Sequence, residues 1–256
     1  MSVDPADDDS PVRVTVGRPV ARVAICDPAE RNRITPRLCA RLPAALHEAA
    51  AHPATRVVLL SGEPAVFCAG GTQDELLGFH AGRSTLDAEE CITAPLDCPA
   101  PVVAAIRGHA IGGGLLLGLY ADLAVLSERS VYAANFMAYG FTPGVGATAL
   151  LPARLGAVLG TEMLLTGCSY RGADLRQRGV PYRVVAHDLV ESTARELAAR
   201  TARAPRTSLR LLKRHLRTRL RRATDEVLGP ELRMQAATFA LPEVAARITQ
   251  AYPPPG

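Results

Sequence analysis

Apolar residues do not fall at one period along this chain. Val12 to Cys26 alternates apolar and polar positions and breaks at Gly17-Arg18-Pro19, which predicts two short strands. "DPAERNRIT" then reads as a loop. Thr35 is placed to cap a helix that begins at Pro36 and runs to about Ala51. Continuous apolar runs follow at Arg56–Gly62, Ala65–Ala69 and Pro101–Gly108, each of the length of a buried strand. "ADLAVLS" and "SVYAANF" predict two more strands. Helices are expected over 145–155 and 158–166.

Strands and helices therefore alternate as far as residue 185, the signature of α/β layering. Beyond Asp188 the strand pattern stops. Four helical stretches are predicted, 188–203, 207–222, 224–240 and 242–252, with Pro205, Pro230 and Pro242 as punctuation. The organisation expected is an α/β core over 12–185 and a helical subdomain over 186–252, with 1–11 and 253–256 as flexible ends.

Composition narrows the class. The chain has 256 residues, 48% of them hydrophobic, enough for a sizeable core. A net charge of +4 does not single out nucleic acid, and only 4% of residues are aromatic, with no tryptophan and no recognition motif. The six cysteines include no C-x-x-C pair, so neither a zinc site nor a disulfide framework is expected, and reduced thiols fit a cytoplasmic protein. The opening "MSVDPADDDSP" is acidic and unlike a signal peptide, and no apolar run reaches membrane-spanning length.

"GHAIGGGLLLGLYAD" (108–122) places three glycines ahead of a helical run. A phosphate loop would need Gly-Lys-Ser/Thr, which is absent, and "GVGATA" (144–149) lacks the strand and acidic residue of a dinucleotide site. An oxyanion hole remains, since glycine lets a ligand approach backbone N–H groups at a helix N-terminus. Close strand–helix packing would explain the same glycines.

"FCAGG" (67–71), then "PVVAAIRGHAIGGG" (101–114), then "YGFTPGVGATALLPARLG" (139–156) and a helical C-terminus resemble the crotonase, or enoyl-CoA hydratase/isomerase, superfamily from about Val12 onward. That resemblance implies a spiral of ββα units with a C-terminal helical trimerisation region, hence a homotrimer or hexamer. It also implies that the N–H groups of Gly71 and Gly113 hold the carbonyl oxygen of an acyl thioester. Hydratases of the superfamily carry two glutamates that handle water. Their positions here hold Leu116 and Phe136, neither of which can move a proton. An apolar wall suits an enolate formed by loss of carbon dioxide instead.

"NFMAYGFTPGVGAT" (135–148), "YRGADLRQRGVP" (170–181) and "LDCPAPVVAAIRGHAIGGG" (96–114) are similar to the decarboxylating enoyl-hydratase-like enzymes of polyketide β-branching cassettes. The resemblance implies decarboxylation of a 3-methylglutaconyl-type thioester on an acyl carrier protein or CoA, with no metal and no other cofactor. Where that subgroup has a histidine in "ELxxHxxTF", this chain has Gln235, and Glu75 and Phe79 stand where some members have a tyrosine and a lysine. The proton donor is thus open among His80, Gln235 and Tyr139. Arg83 is a candidate for the substrate carboxylate, and Leu116, Asn135, Phe136 and Thr142 are expected around the pocket. Glu75 reads as a helix-surface carboxylate, and His109 and Cys68 as structural. Dehydration or isomerisation, or a carrier-binding scaffold without turnover, are the competing readings.

"PRTSLRLLKRHLRTRLRR" (205–222) predicts an amphipathic helix. Leu209, Leu212, Leu216 and Leu220 form an apolar stripe, and a basic face of Arg206, Arg210, Lys213, Arg214, Arg217 and Arg221 is available to an acidic carrier protein. No nucleic acid or membrane partner is expected.

Overall fold

A computed structural model of the chain describes residues 10–83 and 88–251. In chain order the elements are β1 (Val12–Thr15), β2 (Val20–Ile25), α1 (Pro36–Ala51), β3 (Val57–Ser61), β4 (Val66–Cys68), α2 (Gln73–His80) and α3 (Glu89–Asp97). Next come β5 (Val102–Ile106), β6 (His109–Ile111), α4 (Gly113–Leu119), β7 (Leu123–Ser127), β8 (Val131–Ala133), α5 (Ala147–Leu155), α6 (Ala157–Thr166), β9 (Ser169–Arg171), α7 (Gly172–Gln177) and β10 (Arg183–Val185). The chain closes with α8 (Val190–Thr201), α9 (Arg206–Phe239) and α10 (Pro242–Ala251).

Among the described residues the strands form two sheets, ordered β1-β2-β3-β5-β7-β10 and β4-β6-β8-β9. The β1–β2 and β8–β9 pairs are antiparallel and the rest are parallel. The chain visits the sheets alternately: β3 then β4, β5 then β6, β7 then β8, each pair followed by helix. This is the ββα spiral.

The continuous apolar runs follow from burial on both faces. In β3, Val58 and Leu60 join the main core with Leu42 and Leu46 of α1, while Val57 and Leu59 pack with Val190, Ala194 and Ala198 of α8. The first helix beyond β10 thus covers the second face of the large sheet rather than standing apart from the core. Thr35 caps α1 as expected, its hydroxyl accepting the N–H of Leu38 at 3.2 Å.

Several local expectations are corrected. "SVYAANF" is strand only to Ala133, and Asn135 and Phe136 lead into a 3-10 turn, Met137–Tyr139. The helix expected from Val145 starts at Ala147, because Val145 and Gly146 both have positive φ. The two helices expected over 207–222 and 224–240 are one, α9, which continues unbroken past Pro230. An interior proline costs a helix about 3 kcal/mol, and here packing offsets it: Thr224 and Glu231, on either side of Pro230, are both buried. Of the ends expected to be flexible, 1–9 and 252–256 lie outside the described residues. Pro11 is buried, and its carbonyl accepts the Cys26 N–H at 2.9 Å.

The faces of α9 differ in part from the expectation. Five of its basic residues lie against the protein. Arg206 and Arg210 donate to the Ala50 carbonyl at the C-terminal end of α1, and Arg217 donates to the Asp97 carbonyl. Arg221 pairs with Glu89, Asp97 and Asp225. Lys213 is buried and reaches Asp122 (2.8 Å) and the carbonyls of Pro95 (2.8 Å) and Ala100 (3.0 Å). Leu209 and Leu220 point inward, but Leu212 and Leu216 are exposed. Arg206, Arg210, Lys213, Arg217 and Arg221 are thus engaged within the chain, and Arg214 of the expected basic face is exposed.

Candidate active site

Two loops meet at the ends of β4 and β6. The first is pinned by Asn32, whose buried amide donates to the carbonyls of Val66 and Phe67, both at 3.1 Å, while its oxygen accepts the N–H of Asp27 at 2.8 Å. Ile34 then donates its N–H to the Gly70 carbonyl (2.8 Å) and pairs with Gly71 as a parallel bridge. Thr72 follows at once and caps α2, accepting the N–H of Glu75 at 3.1 Å.

The second loop is the glycine run. Gly112 has φ 54° and ψ −124°, open to glycine alone at low cost, and its N–H donates to the Ala133 carbonyl at 2.7 Å. Gly113 is the first residue of α4, so its N–H falls outside the helical ladder. Gly114 packs against β4 so closely that a Cβ there would lie 2.3 Å from the Cys68 carbonyl oxygen. Gly112 therefore makes the turn, Gly113 offers the open N–H and Gly114 permits the close packing.

Gly71 and Gly113 line one cavity of about 750 Å³. Four of the five phenylalanines of the chain, Phe79, Phe136, Phe141 and Phe239, form its wall with Tyr139. The Phe141 and Phe239 rings stack with centroids 4.3 Å apart, Phe136 meets Phe141 edge-on at 6.1 Å, and Tyr139 stacks on Phe141 at 5.9 Å. Behind them, Val244 and Ile248 of α10 close a small separate core. The polar lining comes from Glu75 and His80 of α2, Glu89 of α3, Asn135, Tyr139 and Gln235 of α9. Asn135 donates to the Tyr139 hydroxyl at 2.9 Å, and the Nδ1 of His80 lies 2.6 Å from the Phe239 carbonyl oxygen.

Of the residues picked out from sequence, the cavity gathers Gly71, Gly113, His80, Asn135, Phe136, Tyr139 and Gln235. It does not gather Leu116 or Thr142. Leu116 is fully buried in the main core, one turn into α4, and Thr142 turns to α9, its N–H donating to the Thr238 hydroxyl at 3.1 Å. Arg83 is exposed and outside the lining. Glu75, read from sequence as a surface carboxylate, faces the cavity instead. His80, expected in a polar loop, is the last residue of α2, and residues 84–87 of that loop lie outside the described residues. His109 accepts the Val131 N–H at 2.9 Å, and burial, then Arg31 and Arg171, lower its pKa. Burial pushes the Cys68 thiol up to about 12, so it stays unreactive. Among the described residues no group of three His, Cys, Asp or Glu could hold a metal ion, and no helix is long and apolar enough to cross a membrane.

Sequence reasoning missed Glu89, Phe141, Phe239 and the α9 leucines Leu228 and Leu232, all in the lining. It also missed Glu231, whose buried carboxylate accepts the N–H groups of Gly146 (2.6 Å) and Thr148 (2.8 Å) and fixes the N-terminus of α5 beside the cavity residue Val145. The cue for Glu231 was its place in "ELRMQAATF", one helical turn before Gln235.

The chain matches known proteins over nearly its whole length. It is 42% identical over 233 residues to the bacillaene synthase decarboxylase PksI of Bacillus subtilis, covering 91% of this chain and 94% of that one. The ECH2 decarboxylase domain of CurF from Lyngbya majuscula superposes with a TM-score of 0.90 at 38% identity, over 95% of this chain and 100% of the other. A structure from a dehydratase/decarboxylase enzyme couple involved in polyketide β-branching superposes with a TM-score of 0.91 at 41% identity, over 95% and 96% of the two chains. The sequence profile of the enoyl-CoA hydratase/isomerase family matches residues 15–252. With a match that runs from the end of β1 through α10, the chain belongs to the enoyl-CoA hydratase/isomerase family.

Proposed function

We propose that the protein is a cytoplasmic decarboxylase of polyketide biosynthesis. Its substrate in this reading is a β-branched, 3-methylglutaconyl-type thioester on the phosphopantetheine of an acyl carrier protein, or on CoA. The thioester oxygen sits between the N–H groups of Gly71 and Gly113. As carbon dioxide leaves, the electron pair of the broken C–C bond passes through the conjugated double bond to that oxygen, where preorganised donors stabilise the enolate. The aromatic wall disfavours a charged carboxylate held against it, which assists its loss. The reaction calls on no metal and no other cofactor.

The observation that carries this reading is the cavity itself. It places Phe136, at a position where a hydratase keeps a glutamate, against an aromatic wall, while Leu116, at the other such position, is sealed in the core. The decarboxylase names of the relatives support it. The presence of Glu75 in the lining favours a second reading, dehydration or double-bond isomerisation with Glu75 as base.

Mass spectrometry of an acyl carrier protein loaded with 3-methylglutaconyl separates the readings. Decarboxylation removes the mass of carbon dioxide. Loss of water from the hydroxylated precursor instead would support Glu75 chemistry, and carrier binding without turnover of any acyl group would support a non-catalytic scaffold.

The reading includes a homo-oligomer, trimer or hexamer. Leu211, Leu212 and Leu216 are each more than half exposed on α9, an apolar face suited to burial against another copy of the chain.

A further inference from the structure

We propose that His80 is the catalytic acid of this site, delivering a proton to the carbon that loses carbon dioxide, at the end of the substrate remote from the thioester. This rests on the decarboxylase reading above.

The imidazole is oriented by the backbone. Its Nδ1 lies 2.6 Å from the Phe239 carbonyl oxygen. A carbonyl only accepts, so Nδ1 carries a hydrogen whether the ring is neutral or charged, and Nε2 is the nitrogen that gains and loses a proton. His80 lines the same cavity as Gly71 and Gly113.

Its position along the cavity follows from α2. Gly71 lies just before the helix and His80 ends it. The helix itself, from Gln73 to His80, rises roughly 11 Å. His80 therefore stands at the opposite end of α2 from Gly71, in the wall of the same cavity.

The other polar lining groups suit the role less. Asn135 and Gln235 are amides and poor acids, and a phenol such as that of Tyr139 gives up its proton far less readily than an imidazolium does. Glu75 is the base of the competing reading, and Glu89 is paired with Arg221. Of the charged side chains, Glu75 of α2 and Glu89 of α3 line the same cavity as His80, and Arg221 of α9 pairs with Glu89 at 3.3 Å. From α10, Val244 and Ile248 pack toward α2, while Arg247 lies against Gly140.

The step balances. The C–C bond to the carboxylate breaks, carbon dioxide leaves, and the electron pair enters the thioester dienolate. That pair then forms a C–H bond with the proton from His80 Nε2, at the carbon that lost carbon dioxide. Neutral His80 keeps its Nδ1 hydrogen on Phe239 and is recharged from water, so each turnover consumes one proton.

The test uses the full chain with an acyl carrier protein loaded with 3-methylglutaconyl, in heavy water. The parent protein should release carbon dioxide and place one deuterium on the terminal carbon remote from the thioester, read by NMR of the product. His80→Asn keeps a side-chain N–H for the Phe239 carbonyl. It should lower kcat by ~10²-fold or more and remove the limb of the pH profile that reports the acid, with KM and melting temperature near those of the parent. His80→Gln should behave alike. A well-folded His80→Asn or His80→Gln protein with the parent's kcat and pH profile would overturn the proposal, as would deuterium at the carbon next to the thioester. A parent that releases no carbon dioxide overturns the decarboxylase reading itself, a distinct failure.

Discussion

Glu231 holds Thr148 twice: one carboxylate oxygen accepts the Thr148 N–H at 2.8 Å and its hydroxyl at 2.6 Å. The other oxygen accepts the Gly146 N–H at 2.6 Å. A side chain on α9 thereby caps α5 across 83 residues of sequence. The turn it fixes includes Val145, a non-glycine residue at φ 58°, in the cavity wall.

Glu231→Gln should cost about 2–3 kcal/mol of stability. The amide offers one acceptor oxygen where two are used, and its NH₂ faces a buried N–H. Urea denaturation should show the lowered midpoint. An unchanged midpoint would mean that the cap does not contribute.

The adjacent glycines Gly113 and Gly114 should respond differently to alanine. At Gly114 the new Cβ meets the Cys68 backbone at 2.3 Å, which cannot yield, so Gly114→Ala should lose about 1–3 kcal/mol or fail to fold. At Gly113 it meets the ends of the Ile34 and Ile92 side chains, at 2.7 and 3.1 Å, which can swing aside. Gly113→Ala should therefore fold, with turnover reduced by up to ~10²-fold through misplacement of the substrate. Gly113→Pro removes the N–H and should lower kcat by ~10²–10³-fold. Circular dichroism and carrier-bound turnover together check all three.

Lys213→Met should destabilise the fold by roughly 3 kcal/mol, the lower end for breaking a buried pair, because Asp122 keeps partial access to water. It leaves the carbonyls of Pro95 and Ala100 without their donor. Thermal or urea unfolding measures the loss.

The Glu162 carboxylate accepts from the Arg178 guanidinium (2.6 and 3.0 Å) and the Tyr170 hydroxyl (2.6 Å), which hold its pKa at about 2 instead of 4.5. The stabilisation is present above pH 4.5 and is lost as the pH falls toward 2, since the unfolded chain takes up the proton first. The melting temperatures of the parent and Glu162→Gln should differ at pH 6 and converge near pH 2. A difference that persists at pH 2 would point to another cause.

Replacing both Leu212 and Leu216 by aspartate should shift the protein to a smaller assembly in sedimentation equilibrium without unfolding it, because both side chains are exposed in the protomer. An unchanged sedimentation profile would remove α9 from the oligomer interface.

What the sequence determined by itself was local or recorded in motif. The buried strands were visible because a strand covered on both faces needs apolar residues at every position. The α1 cap was visible because a threonine ahead of a proline acts within one helical turn. The glycine pair and the missing glutamates were legible because "FCAGG" and "PVVAAIRGHAIGGG" resemble motifs of a known family.

The tertiary structure decided which face of α9 is inside. Arg206, Arg210 and Arg217 of α9 turn inward to reach carbonyls such as Ala50 and Asp97, acceptors that appear only when helix ends and loops come together. An amphipathic pattern records polarity but not the hydrogen-bond partners a neighbouring element supplies. For the same reason the site was only half legible. His80 and Phe239 are 159 residues apart, and neither segment encodes that the carbonyl of one will orient the imidazole of the other.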